Sequence, residues 1–147
     1  MNDRLSFEEY LDREGTLTYT NTGSSMLPLL REGKDLFTVR KKDSARCMAG
    51  DVILYRRGKS YVLHRVIEVR PSDYVVLGDN CMAKEYVTDD RILGVMTGFV
   101  RGGRTCSVTD RAYQAYTWLM LHTAEVRTGS KRLKAAVMRR AGRILRG

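Results

Sequence analysis

The stretch that decides the fold is AGDVILYRRGKSYVLHRVIEVR, residues 49–70, in which two apolar segments flank a short polar break. Both segments are rich in Val, Ile, Leu and Tyr, which is typical of β-strands. Gly58, Lys59 and Ser60 are suited to a tight turn between them. The stretch therefore predicts a β-hairpin.

Strand-like segments continue on both sides of this hairpin. They are short, rich in β-branched and aromatic residues, and separated by Gly, Ser, Asp or Pro. Glycines at positions 94, 98, 102 and 103 predict bends or bulges of the kind that a small coiled barrel requires. The additional extended segments are TLTYTNT (16–22), LFTVRK (36–41), YVVLGD (74–79) and ILGVMTGFVRG (92–102).

Helices are predicted at the two ends of the chain. Ser6 and Glu9 form a candidate capping box for a helix over 7–14, and Gly15 is a plausible stop. After Val108 the pattern predicts a helix capped by Thr109 or Asp110 and running to about residue 126. A break at 128–130 precedes a second helix that runs to about residue 145, with Ser130 as its cap.

The expected fold class is therefore α+β and mainly β: a small coiled β-barrel with a short N-terminal helix and two C-terminal helices. The predicted organisation is a β-rich domain over residues 1–108 and a basic helical appendage over 109–147.

The formal net charge of +9 is concentrated at one end. Residues 127–147 carry eight basic residues and no acidic one, which leaves 18 basic and 17 acidic residues for positions 1–126. A nucleic-acid-binding domain would carry its charge on the body, so nucleic acid is not expected as a partner. An apolar stripe amid the arginines of the last helix predicts an anionic membrane surface as its partner, with an acidic partner or nucleic acid as the alternative ligand of this tail, or else a docked helix with solvated arginines. The stripe comprises Leu133, Val137, Ala141 and Ile144.

Three cysteines without close spacing argue against a disulfide framework and for a reducing compartment. The two histidines share no ligand spacing with them, so neither a metal site nor another cofactor is expected. No secretory signal and no span of ~20 apolar residues is visible. We therefore expect a cytoplasmic protein, at most peripheral at a membrane.

A candidate nucleophile lies in GSSMLPLL, residues 23–30. Pro28 fixes its own φ and biases Leu27 toward extended geometry, so Ser25 sits in a turn and not in a helix. Such a turn can present a hydroxyl to a cleft and free the neighbouring amide for an oxyanion hole. Gly23 offers no side-chain donor, which leaves the Ser25 amide for that role.

Four motifs in fixed order resemble the boxes of type I signal peptidases and the related LexA-type peptidases. They are Ser25-Met26-Leu27-Pro28, the glycine-aspartate strand starts at Asp35 and Asp51, the base motif His64-Arg65-Val66, and Gly78-Asp79-Asn80. The stretch ILGVMTGFVRGGR resembles the last strand of that family, and the likeness extends over about residues 16–104. The resemblance implies a serine peptidase fold and activity.

The same resemblance assigns the catalytic roles. His64 occupies the base position, as in the endoplasmic-reticulum and archaeal branch, and a histidine of ordinary pKa ~6.5 is mostly neutral at pH 7. Lys59 is a weaker rival because turn lysines are usually solvated. Asp79 is the expected third member that orients His64, with Glu85 and Asp89 as alternatives.

The predicted function is that of a serine endopeptidase that cleaves a peptide or small precursor protein through Ser25 and His64. Leader removal during peptide maturation is one hypothesis for the substrate. The sequence lacks the N-terminal membrane helix of signal peptidases, and its Ala49-Gly50 bond lies downstream of Ser25, which disfavours LexA-type self-cleavage. The alternative is a catalytically silent signal-peptidase-like module with a binding or regulatory role.

Overall fold

The computed structural model describes residues 5–147. Helix α1 (Phe7–Glu14) precedes eight strands, and three helices close the chain. A single 3-10 turn, Asp89–Arg91, lies between the sixth and seventh strands. The strands are β1 (Thr16–Thr20), β2 (Leu36–Lys41), β3 (Val52–Arg57), β4 (Ser60–Val69), β5 (Tyr74–Leu77), β6 (Glu85–Val87), β7 (Ile92–Arg101) and β8 (Arg104–Ser107).

Helix α1 begins and ends as predicted. The Ser6 hydroxyl accepts a hydrogen bond from the Glu9 amide at 3.1 Å, and the Glu9 carboxylate accepts one from the Ser6 amide at 3.3 Å. Gly15 ends the helix with φ of 80°, a conformation that glycine adopts without strain. The capping box and the stop are both confirmed.

All strand pairs are antiparallel, in the order β1-β2-β7-β3-β4-β5-β6, and β8 pairs with β7 off this path. The expected class, α+β and mainly β, is confirmed, and each of the six predicted extended segments contains a strand. Strands β6 and β8 were not predicted. The first is only three residues long, and the second is a half-exposed polar segment without a clear apolar alternation.

Strand β7 carries two irregularities beside its glycines. Its pairing register shifts opposite Thr38/Val39 and again opposite Leu54/Tyr55. A Cβ at Gly94 would lie 2.8 Å from the Arg40 carbonyl oxygen, so the neighbouring strand approaches too closely for a side chain there. The irregularities predicted at Gly94 and Gly98 are confirmed, whereas Gly102 and Gly103 form the turn between β7 and β8.

Three helices follow the sheet where two were expected: α2 (Arg111–His122), α3 (Ala124–Gly129) and α4 (Lys131–Arg146). The first predicted helix breaks at Thr123, whose hydroxyl donates to the Leu119 carbonyl at 2.6 Å while its backbone leaves helical geometry. Ser130 caps α4 as predicted, through the Leu133 amide. No helix within residues 5–147 combines the length and apolar content needed to cross a bilayer.

The helices pack on the sheet and share its core. The predicted boundary between residues 108 and 109 lies between β8 and α2, and buried residues from both sides of it form one apolar cluster. Of the predicted stripe on α4, Val137, Ala141 and Ile144 pack into this cluster, whereas Leu133 stays half exposed. The cluster includes Leu29, Leu30, Phe37, Val39, Leu54 and Phe99 from the β-rich part and Tyr113, Tyr116, Met120, Ala141 and Leu145 from the helices.

Candidate active site

Ser25 lies in the irregular turn between β1 and β2. The Leu27 amide donates to the Ser24 carbonyl at 3.2 Å, and the Leu30 amide donates to the Met26 carbonyl at 3.0 Å, so the turn is internally bonded. The Met26 side chain is fully buried beneath it. Within residues 5–147 neither the amide nor the hydroxyl of Ser25 makes a hydrogen bond, so both are free for a substrate.

The Ser25 turn is held against the loop that leaves β5. The Asn80 amide donates to the Ser25 carbonyl at 2.8 Å, and the Asn80 side chain donates to the Ser24 carbonyl at 3.1 Å. The Asp79 amide lies 3.5 Å from the Met26 sulfur. Two segments more than fifty residues apart in the chain are thereby fixed to one another.

His64 reaches this junction from β4. Arg65 pairs with Leu77 on β5, so the preceding residue, His64, lies beside Gly78 where β5 ends. A Cβ on Gly78 would lie 2.8 Å from the Ser25 carbonyl oxygen and 3.0 Å from His64 Nε2. The two predicted catalytic residues therefore meet at a glycine that leaves room for both.

The other ring nitrogen of His64 has two partners. Nδ1 lies 3.2 Å from the buried Tyr55 hydroxyl and 3.8 Å from Glu85 Oε1. Burial lowers the pKa of His64, and the nearby Glu85 charge opposes that shift without cancelling it. At neutral pH the imidazole is therefore uncharged, as a general base must be before it accepts a proton.

Glu85 is itself held by Arg57. The Arg57 guanidinium binds its carboxylate through two hydrogen bonds, one of them 3.0 Å long. Burial would raise the pKa of Glu85, but the hydrogen bonds and charge of Arg57 outweigh it and lower the pKa. Glu85 therefore stays ionised beside His64 at neutral pH.

Asp79, the expected third member of the triad, makes no hydrogen bond to His64 in the described part of the chain. Its fully buried carboxylate is bound in bidentate fashion by Arg65, with both contacts at 2.8 Å, and by the Tyr116 hydroxyl at 2.6 Å. The Arg127 guanidinium also donates to the Asp79 carbonyl at 2.9 Å. Of the sequence candidates, Glu85 is the acid that lies near the histidine.

The two remaining candidates lie elsewhere. Lys59 is exposed in the β3–β4 turn. Asp89 accepts a hydrogen bond from the Tyr74 hydroxyl at 2.6 Å and lies near Lys42 and Arg46. Neither residue borders the cavity that contains Ser25 and His64.

Sequence reasoning missed Cys81. Its sulfur lies 4.0 Å from His64 Nε2 and 3.9 Å from the Ser25 carbonyl oxygen. Burial raises the pKa of this thiol, so it is protonated at neutral pH and poorly suited to act as a nucleophile. Its position three residues after Gly78, in a motif already singled out, was the only available signal.

A cavity of about 820 Å³ opens over Ser25 and His64. One side of the cavity is aromatic: the ring centroid of Phe7 lies 4.9 Å from that of Tyr19 and 4.6 Å from that of Tyr61. The lining comes from α1, β1 with the segment after it, the Ser25 turn, β2, β3, β4 and residues 81–85. Because β1 and β6 are at opposite ends of the strand order, the sheet must curl for both to reach one cavity.

No protein-family model matches this sequence. A search of curated proteins finds no match either. The likeness to signal peptidases and LexA-type peptidases therefore rests on the four motifs quoted above.

Proposed function

We propose that this chain is a serine endopeptidase of the signal peptidase and LexA type, with Ser25 as nucleophile and His64 as general base. The observation that carries the proposal is the meeting of these two residues at Gly78, at the floor of an open cavity. The curled antiparallel sheet is compatible with the small coiled barrel of such enzymes. A volume of about 820 Å³ suits several residues of a peptide.

In the proposed reaction the Ser25 hydroxyl attacks the scissile carbonyl carbon while His64 Nε2 takes its proton. The free Ser25 amide stabilises the oxyanion that forms. The imidazolium then gives the proton to the leaving amine, and a new N-terminus departs. Water, deprotonated by the same nitrogen, hydrolyses the acyl-enzyme and restores the serine.

Glu85 and Tyr55 take the orienting role in this scheme. Both face Nδ1, the nitrogen turned away from Gly78, so they fix the imidazole in the direction that points Nε2 toward the reaction. The negative charge of Glu85 stabilises the imidazolium as it forms. Asp79 is proposed to stabilise the fold and not to orient His64, because its carboxylate already accepts hydrogen bonds from Arg65 and Tyr116.

The substrate is proposed to be an extended peptide or a small precursor. Strand β1 pairs only with β2 within the described sheet, so its outer edge has free backbone groups. Thr20, Asn21 and Thr22 lead from that edge into the cavity toward Ser25. A peptide can add to such an edge by main-chain hydrogen bonds, which delivers its backbone to the nucleophile.

One observation favours a catalytically silent binding module as the second candidate. His64 Nε2 faces the Cys81 thiol, while the Ser25 hydroxyl has no hydrogen bond to the imidazole among residues 5–147. Catalysis therefore requires that the serine hydroxyl and the imidazole form a hydrogen bond when substrate binds, and catalytic hydrogen bonds are often long in apo enzymes and tighten in the complex. A silent module would bind the same peptides and release them intact.

Cleavage of a peptide library separates the two candidates. Wild type, Ser25→Ala, His64→Ala and the matched control Ser24→Ala are compared by mass spectrometry of the products. The enzyme proposal predicts cleavage by wild type and Ser24→Ala and losses of several orders of magnitude in the other two. Equal processing by wild type and Ser25→Ala would refute it.

A further inference from the structure

The outer side of the C-terminal helices carries two exposed large apolar side chains. Trp118 on α2 is 61% exposed, and Leu133 at the start of α4 is 50% exposed. Trp118 is also the only tryptophan of the chain. Singly exposed apolar side chains are ordinary on protein surfaces, so these two indicate a contact surface only together with the pocket and the charges beside them.

An apolar pocket lies beside Trp118. It has a volume of about 320 Å³ and is lined by Ala115, Trp118, Leu119 and Ile144, with Arg140 as its single charged residue. One face of the indole is covered by His122, with ring centroids 4.0 Å apart. The indole thus forms part of the wall of a mainly apolar pocket.

The helix α4 that contributes to this pocket also carries six exposed cations. The buried side of α4 faces the core through Ala141 and Leu145, so its outer side is the one that bears the charges. None of these cations forms an ion pair within residues 5–147, and no acid occurs between 127 and 147. The exposed cations of α4 are Lys131, Arg132, Arg139, Arg140, Arg143 and Arg146.

We propose that this outer face of α2 and α4 docks on an anionic phospholipid surface. The unpaired cations meet the lipid head groups, and Trp118 and Leu133 enter the boundary between head groups and acyl chains. Nucleic acid fits less well, because the pocket offers phosphates and bases one charged group among apolar walls. Most of the apolar stripe predicted on α4 packs into the core and is not available to a partner. The docking face is therefore the opposite side of α4, which bears the cations.

This docking would leave the proposed active site accessible. The first turn of α4 touches the loop beneath that site, where Lys134 Nζ donates to the Asn80 carbonyl at 2.6 Å. The residues that line the cavity come from α1, the Ser25 turn, the strands β1 to β4 and residues 81–85, and none comes from α2 or α4. The helical face can therefore bind a membrane while the cavity takes a peptide.

The single tryptophan gives a direct test. The full chain is mixed with vesicles of phosphatidylcholine alone or of phosphatidylcholine with phosphatidylserine, and binding is measured by flotation and by Trp118 fluorescence. We expect binding to the mixed vesicles only, a blue shift of the emission, quenching by brominated acyl chains, and weakening by added salt. Arg139→Gln with Arg143→Gln should lower the partition coefficient about 30-fold.

The matched control is Arg13→Gln with Arg40→Gln, which removes two exposed cations outside α2 and α4, one on α1 and one on β2, and should leave binding unchanged. Absence of flotation with anionic vesicles would overturn the proposal. So would binding to a DNA duplex in place of vesicles, or equal losses in the control variant. None of these readouts depends on peptidase activity.

Discussion

Asp79→Ala is expected to destabilise the fold, because the Asp79 carboxylate neutralises a buried cation. The Arg65 guanidinium is fully buried and donates to both Asp79 carboxylate oxygens at 2.8 Å. Its remaining hydrogen bonds go to the Gly50 carbonyl and to hydroxyls of Tyr113 and Thr117, all uncharged groups. Without Asp79 the protein must bury an unpaired positive charge or open to water.

The expected magnitude is about 3–5 kcal/mol of unfolding free energy, the usual result when one partner of a buried pair is removed. The Tyr116 hydroxyl loses its acceptor at the same time, which places the loss toward the upper end. Free energies of unfolding of about 5–15 kcal/mol are usual for native proteins, so the variant should retain only a fraction of the wild-type value.

Urea unfolding followed by circular dichroism measures this loss. The matched control is Asp73→Asn, which breaks the pair of Asp73 with the solvent-exposed Arg70 and should cost far less, because solvent screens such a surface pair. Replacing both Arg65 and Asp79 by apolar residues should recover much of the stability, since no charge is left unpaired.

An Asp79→Ala protein with wild-type unfolding free energy but no cleavage activity would refute this reasoning. It would return Asp79 to the triad, in the role expected from the motif.

Four further predictions concern the site itself. Gly78→Ala should lower kcat/KM by about 100-fold in a folded protein, because its Cβ would press on the Cys81 sulfur, the Ser25 carbonyl oxygen and His64 Nε2; unchanged kinetics would contradict these contacts. The acid limb of kcat/KM should lie below pH 6.5, since burial lowers the pKa of His64 and activity falls as His64 takes up a proton. Glu85→Gln should move that limb to still lower pH, because it removes the charge that raises the pKa of His64; a shift upward would contradict the assignment. Tyr55→Phe should reduce kcat no more than about 10-fold by removing one hydrogen bond to Nδ1, measured at saturating substrate.

Much of the fold follows from local pattern. The Ser6 capping box, the Gly15 stop and the Gly58–Ser60 turn each act within a few residues, so the sequence alone predicts them. The break at Thr123 was not predicted, because a threonine hydroxyl that bonds back to the previous helical turn leaves no compositional trace. Strand β6 depends on its neighbour β5 for pairing and has too few residues for a period.

The candidate site was also predictable from the sequence only in part. Motif order alone indicated Ser25 and His64, and the structure brings them to one glycine. Asp79 follows Gly78 in the same motif, but its carboxylate forms a buried ion pair with Arg65. Which acid faces His64 is a matter of long-range packing between β4 and β6, and no local pattern encodes it.

The most direct measurement is labelling of the intact protein with a fluorophosphonate, followed by mass spectrometric mapping of the modified residue. The account predicts one phosphonyl group on Ser25 of the wild-type protein and none in a folded His64→Ala variant, where no base takes the hydroxyl proton. An unmodified Ser25 in the wild type, or equal labelling without His64, would contradict it.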